Sequence, residues 1–403
     1  VKRMRGEPKT KIRLEIARKG EMKPLSFTIE LATIKTQSVR MKELADGFGY
    51  IRISQFQERT AEDLAANINK LEKSGHLKGL ILDLRNDPGG LLQAAIGVSA
   101  AFLPEKSDVV SIKGRTPQSD YAFKAVEKDY RSGNAAKALA ELTPAAKTVP
   151  LVVLINSSSA SASEIVAGAL QDHKRAVLLG DRSFGKGSVQ TILPMTFGEK
   201  TVGVKLTTAR YYTPTGRSIQ KPYTIGDDES YEEDIWNRYK NNEFFSADSI
   251  HFADSLKRVT PGGKVVYGGG GIMPDVFVPA DTTDVTKYFV EVAGRNILYR
   301  YTIEYADRHR EALNKVRTIP ELQALLDSDK GLVEDFIRYA ARKGVAPDYR
   351  DIARSRKLIE AQLRAYIGRN TALEDNGFYA NIYPVDNVVV RAIGILNDTQ
   401  KND

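Results

Sequence analysis

The hydrophobic pattern changes period several times along the chain. Thr10 to Ala17 and Leu25 to Leu31 alternate on either side of Arg18-Lys19-Gly20-Glu21, which predicts a β-hairpin. Strands are expected around Val39–Met41 and Gly49–Phe56. Thr60 caps a predicted helix to Lys73, with Leu64, Ile68 and Leu71 as its apolar stripe and Glu62 and Asp63 in its first turn. Gly79 to Leu84 reads as a buried strand, Asn86-Asp87-Pro88-Gly89-Gly90 as a turn, and Leu91 to Leu103 as a helix. Residues 104–147 begin extended at Val109–Ile112, turn polar, and read as helical over Tyr121–Leu142. Val149 to Ile155 is short, apolar and β-branched, hence a buried strand; Ile165 to His173 sets Ile165, Val166, Ala169 and Leu170 on one helix face. Arg175–Gly180, Thr201–Ala209 and Asp275–Val278 read as strands. Gly226 to Asp234 packs six acids into nine positions without the spacing of a calcium loop, and reads as a solvated loop, with 235–262 a polar connection. Residues 284–403 change to helical periodicity, over Val285–Asn314, Ile319–Leu326, Leu332–Lys343 and Asp351–Arg369. That all-helical part is either a packing brace or an oligomerisation surface, because exposed apolar helix faces need a partner.

The chemistry concentrates in Ser157-Ser158-Ser159-Ala160-Ser161-Ala162-Ser163-Glu164, on the turn between the predicted strand and helix. There the free N–H groups and positive dipole end of the helix face any developing anion. The plainer reading is a capping box, Ser161 with Glu164 three residues on. It accounts for one or two serines, not five in seven positions. A second turn follows in Arg182-Ser183-Phe184-Gly185-Lys186-Gly187-Ser188-Val189-Gln190, with a lysine between two glycines. A serine hydroxyl is a weak nucleophile until a base takes its proton, and a desolvated, neutral lysine amine can be that base.

At these residues the sequence resembles the carboxyl-terminal processing, or tail-specific, proteases. The family signature at the nucleophile is matched by Ser159 to Ile165 and the second signature by Phe184 to Gln190. Further blocks are Gly49–Ile53, Leu82–Leu91, Leu206–Gln220 and Gly271–Asp275, so that the likeness covers residues 1–283. The resemblance implies that Ser161 is the nucleophile, Lys186 the general base and Gln190 the residue orienting it. It also implies an oxyanion hole from the backbone N–H groups of Gly89, Gly90 and Ala162. For Gly89 and Gly90 alone, an ordinary tight turn would suffice. The implied fold is α/β (α+β): a crotonase/Clp-protease-like core over 34–283, preceded by the carboxyl-terminal part of a truncated PDZ domain (1–33) and followed by the helical domain 284–403. A PDZ domain receives C-termini by strand addition and carboxylate capture. The implied partners are protein or peptide substrates with free C-termini, an adaptor protein and a second copy in a homo-oligomer. No cofactor or metal is implied. The implied location is the bacterial periplasm or cell envelope, with an anchor in a missing amino-terminal segment. Two other readings of the fold stay open: a non-catalytic protein binding hydrophobic ligands or peptides, for which the dyad would be superfluous, and an acyl-CoA hydratase, which would leave Ser161 and Lys186 unexplained.

Composition narrows the field a little. The net charge is +8, but residues 1–35 hold 10 Lys/Arg against 4 Asp/Glu, so the rest is nearly balanced. The excess lies on a short strand pair rather than in a basic, aromatic-interleaved patch, which argues against nucleic acid. The absence of cysteine excludes disulfides, a thiol nucleophile and thiolate metal sites. His76, His173, His251 and His309 lack metal-ligand spacing, and no stretch approaches the ~20 apolar residues of a membrane span. Asp172-His173 invites a triad with Ser161, yet His173 stands at the far end of the predicted helix, about 18 Å away. The chain opens at Val1 with neither an initiator methionine nor a signal peptide, as expected of a processed or internal fragment.

Overall fold

The computed structural model describes residues 4–18, 21–33, 37–44, 47–75, 77–115, 120–198, 200–224 and 226–402. Lys19 and Gly20 of the predicted hairpin turn, and His76, lie outside the described residues. The chain divides into two compact units after Ser38. In the first, β1 (Lys11–Ile16) and β2 (Leu25–Glu30) pair antiparallel, with Lys11 opposite Glu30 and Ile16 opposite Leu25.

The second unit opens with β3 (Val39–Glu43), β4 (Phe48–Ile53), α1 (Thr60–Gly75), β5 (Gly79–Asp83) and α2 (Leu92–Phe102). Next come β6 (Asp108–Gly114), β7 (Tyr121–Lys124) and three short helices, α3 (Glu127–Tyr130), α4 (Ala135–Ala140) and α5 (Ala145–Thr148). The helical reading of Tyr121–Leu142 is thus corrected: its first four residues pair with β6 as a strand, because Tyr121 and Phe123 stack edge to face there. β8 (Leu151–Ile155), α6 (Ala162–Asp172) and β9 (Val177–Gly180) follow. After them come β10 (Ser188–Phe197), β11 (Lys200–Tyr212), α7 (Asp228–Lys240), β12 (Lys257–Val259), β13 (Val265–Tyr267) and β14 (Val276–Phe277).

The main sheet runs β14-β9-β8-β5-β4-β3, parallel except for β3. Strand polarity explains why β8 reads Leu-Val-Val-Leu-Ile with every residue buried: a parallel strand has no wet face. Residue parity sorts the side chains into two cores. Ile51, Ile53, Leu80, Leu82, Leu151, Val153, Ile155 and Leu178 pack with α1, α2 and α6. Their neighbours Phe48, Tyr50, Ile81, Val152, Leu154 and Leu179 face the other way, against Tyr383, Val389, Ala392 and Leu396.

Those last residues come from the far end of the chain. After α8 (Lys287–Gly294), α9 (Ile297–Arg308), α10 (Arg310–Leu313), α11 (Ile319–Ser328), α12 (Leu332–Arg342), α13 (Tyr349–Arg369) and α14 (Asp375–Ile382), the helix α15 (Asn387–Asn402) lies on the second face of the sheet. Helices α8 to α13 share a third apolar cluster that includes Val292, Tyr301, Leu322, Phe336, Ile359 and Leu363. The expected helix Val285–Asn314 is broken at Asn296, which is left-handed (φ 58°) and starts α9. The helices beyond residue 286 belong to the same compact unit as the sheet, which runs from Val39 to Asp403. Arg85, at the end of β5, fastens the two parts: it binds Asp83 at 2.7 Å and Asp386, just before α15, at 2.8 Å. Buried Asp83 would be raised by burial, but Arg85, then Arg52 and the Tyr50 hydroxyl, hold it below the usual carboxylate range.

Candidate active site

Three loops leave the carboxyl ends of β5, β8 and β9 and meet at one edge of the sheet, the usual place for a site in a parallel α/β sheet. The middle loop carries Ser161, whose backbone is left-handed (φ 58°, ψ −113°). A non-glycine residue in that conformation is strained, and such strain persists where the surroundings over-determine it. They do here. Ser159 donates Oγ–H to Leu84 O at 2.8 Å, Ala160 N–H donates to Asp87 O at 2.9 Å, and Ser163 Oγ–H donates to the same carbonyl at 3.0 Å. Ser161 is the N-cap of α6, so the capping-box residues are both in position.

Glu164 does more than cap. Its fully buried carboxylate accepts four hydrogen bonds: from Ser161 N–H (2.8 Å), Ser183 Oγ–H (2.6 Å), Gly185 N–H (2.7 Å) and Lys186 N–H (2.9 Å). Burial pushes the carboxyl up, and the four donors oppose that shift. Tyr211 adds a second tie. Its buried hydroxyl reaches Ser161 O at 3.0 Å and also Lys186 O, so the two turns are joined backbone to backbone twice. Tyr211 lies inside a recognised sequence block, but only the fold reveals what its hydroxyl meets.

Lys186 stands between β9 and β10, half-buried. Among the described residues no hydrogen bond joins its Nζ to Ser161 Oγ. With Gln190 it lines a cavity of about 490 Å³ whose other walls include Thr207, Phe184, Tyr223 and Tyr231. Gln190 is exposed on β10, and the strand register shifts between Val189 and Gln190. A bulge of this kind re-aims a side chain. Gly187 N–H is held by Gln220 Oε1 at 3.0 Å.

The acidic stretch read as a solvated loop is instead the start of α7, and this helix fastens the lysine turn. Buried Arg238 donates to Ser183 O (2.8 Å) and Phe184 O (3.0 Å). Lys221, also buried, donates to Tyr231 O at 2.8 Å and lies about 4 Å from the ring centres of Phe184 (4.1 Å) and Tyr231 (4.0 Å). The correction has a plain cause. Acids at the start of the stretch and Arg238 and Lys240 in the last turn are the order of charge that a helix dipole favours.

The glycine turn after β5 touches the nucleophile. A Cβ on Gly89 (φ 95°) would sit 2.7 Å from Ala162 N and 2.8 Å from Ser161 Cβ, so no other residue fits. Gly89 N–H donates to Asp87 Oδ1 at 2.8 Å and is already engaged, whereas among the described residues neither Gly90 N–H nor Ala162 N–H donates to another protein group. Asp87 is fully buried, its Oδ2 has no partner among the described residues, and burial pushes its carboxyl up to about 7. The alternative triad does not assemble. Asp172 is paired with Arg217 at 2.9 Å, and His173 Nε2 lies 2.7 Å from Asp108 O.

The signature of peptidase family S41 matches residues 47–230, and that of a family of unknown function matches 288–372. A carboxy-terminal-processing protease of Bartonella bacilliformis is 42% identical over 287 residues, covering 70% of this chain and 60% of its own length. A carboxyl-terminal-processing protease of Synechocystis sp. is 34% identical over 274 residues, covering 67% of this chain and 58% of its own. The chain therefore spans about three-fifths of these relatives. A solved photosystem II D1 C-terminal processing protease aligns at 24% identity over 69% of this chain and 58% of that one, with a TM-score of 0.39, too low to bear on the fold. Over residues 47–230 the chain thus carries an S41 peptidase region, and over about two-thirds of its length it is similar to carboxy-terminal processing proteases.

Proposed function

We propose that the chain is a serine endopeptidase that acts through Ser161 and Lys186 on proteins presented by their C-terminal tails. The observation that carries this reading is the Glu164 carboxylate, which binds the nucleophile turn and the lysine turn at once. Two groups far apart in sequence are thereby held in one frame, as acyl transfer requires. In this reading Ser161 Oγ attacks the peptide carbonyl carbon while its proton passes to neutral Lys186 Nζ. The new oxyanion accepts hydrogen bonds from Gly90 N–H and Ala162 N–H, the two unengaged donors, and Gly89 contributes close approach rather than its N–H. The intermediate collapses, the C–N bond breaks, and the proton moves from Lys186 to the leaving amine. Water then attacks the acyl-enzyme with Lys186 again as base. Gln190 orients the lysine from their shared cavity.

The family resemblance extends the proposal. Residues 1–33 are the end of a PDZ domain that receives substrate tails, and 284–403 form a helical domain that braces the core and meets a second copy. An adaptor presents substrates, and the protein works in the bacterial periplasm or cell envelope. The test is cleavage of an unfolded model protein, read by mass spectrometry, for the parent, Ser161→Ala and Lys186→Ala. Cleavage by the parent with a loss of at least about 10³-fold in each variant is expected. Cleavage persisting in Lys186→Ala overturns the lysine as base.

A further inference from the structure

The cavity beside Lys186 is built more firmly than an incidental surface dent. Phe184 and Tyr231 meet edge to face at 6.1 Å, and Tyr231 and Tyr223 at 6.4 Å, giving one continuous aromatic wall. The wall is fastened from behind by Lys221 against both the Phe184 and Tyr231 rings, and Arg238 fixes the backbone of Phe184. Lys186, Gln190 and Thr207 also line the cavity. The volume, about 490 Å³, admits one large side chain.

Charge selects the occupant. Lys186 in the wall repels a cation, and Lys221 and Arg210 already stand over the Phe184, Tyr231 and Tyr223 rings. An anion beside Lys186 would hold the lysine charged and so spoil it as a base. An uncharged apolar side chain is left, aliphatic or aromatic. Its arrival has a second effect. Lys186 is half-exposed, whereas a lysine serves as a base only when desolvated. We infer that this cavity receives an apolar substrate side chain next to the scissile bond, and that seating it expels water from Lys186 and thereby completes the general base. The inference rests on the peptidase reading and adds a substrate class to it. Selection and activation then become one event: a substrate without the side chain leaves the base wet.

The test uses the 403-residue chain and a set of internally quenched peptides that differ only in the residue flanking the scissile bond, on each side in turn: Leu, Phe, Gly, Asp or Lys. On one side, kcat/KM for Leu and Phe should exceed that for Gly by at least about 10-fold, with Asp and Lys below Gly. Tyr223→Ala/Tyr231→Ala should bring the Leu-to-Gly ratio to within about 2-fold of unity. Should that variant fail to fold, Thr207→Phe, at an exposed strand position, fills the cavity instead and should turn the preference toward Gly. The desolvation half is read from pH profiles. With the Leu peptide the acid limb of kcat should fall at lower pH than that of kcat/KM, and with the Gly peptide the two limbs should coincide. Hydrolysis without preference, or a preference unmoved by both cavity variants, overturns the assignment and leaves the peptidase reading intact. Coincident limbs for the Leu peptide overturn the link to the base. If the parent hydrolyses no peptide and fails to react with a fluorophosphonate probe, the peptidase reading falls and this inference with it.

Discussion

The turns after β8 and β9 lie side by side, yet they are built in different ways. The serine turn is held largely from within its own stretch and by its neighbour after β5: Ser159, Ala160 and Ser163 bond to Leu84 and Asp87, and Ser161 caps the helix that follows. The lysine turn is held by strangers. Glu164, Tyr211, Gln220 and Arg238 reach it from four other elements or loops. The difference teaches where each function sits. The nucleophile needs fixed, strained backbone, and local chemistry can provide it. The base needs an environment, and only the assembled fold provides that.

Four changes sharpen this contrast, beginning with the largest effect. Glu164→Ala strikes both turns and leaves four donors, two of them buried, without their acceptor. Urea unfolding should show a loss of about 3–5 kcal/mol, and turnover should fall with it. A loss under 1 kcal/mol would mean that the turns hold themselves. Asp87→Asn tests the serine side through pH. The folded carboxyl titrates near 7 and the unfolded one near 4, so ionising it destabilises the native state. Its stabilising share is complete below pH 4 and disappears as pH rises through 7, on the order of 3–4 kcal/mol in all. The Asn variant should therefore gain stability over the parent in melts at pH 8 relative to melts at pH 4, and an equal difference at both pH values would refute the burial argument.

Arg238→Met strikes the lysine turn alone. It should cost about 1–3 kcal/mol, as carbonyls of Ser183 and Phe184 lose their donor. Hydrogen exchange should rise at residues 183–187 and stay unchanged at 157–163; an equal rise at both would show that the turns unfold together. Tyr211→Phe removes one hydroxyl between the turns and should cost about 1 kcal/mol. Because the loss is positional, kcat should fall about 10-fold with KM little changed. A changed KM with unchanged kcat would remove Tyr211 from the positioning role.

The same contrast explains what could be read in the sequence. The strand, serine turn and helix are contiguous from Leu151 to Asp172, so period, capping residues and composition all speak of one place. Lys186 and Gln190 could be named from their motif, but the cavity they share is finished by Tyr223 and Tyr231, whose proximity no local pattern encodes. Helix α7 was hidden by its acids, although its charges are ordered as a helix prefers. Helix α15 begins Asn-Val-Val-Val, a β-branched run with strand character that becomes helical on packing against Val152, Leu154 and Leu179.

That last helix has a consequence for how the protein is made. The sheet face formed by Phe48, Tyr50, Ile81, Val152, Leu154 and Leu179 is closed by residues up to Leu396, more than 200 positions after Leu179. At roughly 5–20 residues per second, a translating ribosome needs about 10–40 s to cross that gap. For that time the nascent chain carries an open apolar surface, and Arg85 waits for Asp386. A newly made molecule therefore finishes its sheet only after Leu396 has been added, and until then the loops that bear Ser161 and Lys186 hang from a sheet with one bare face.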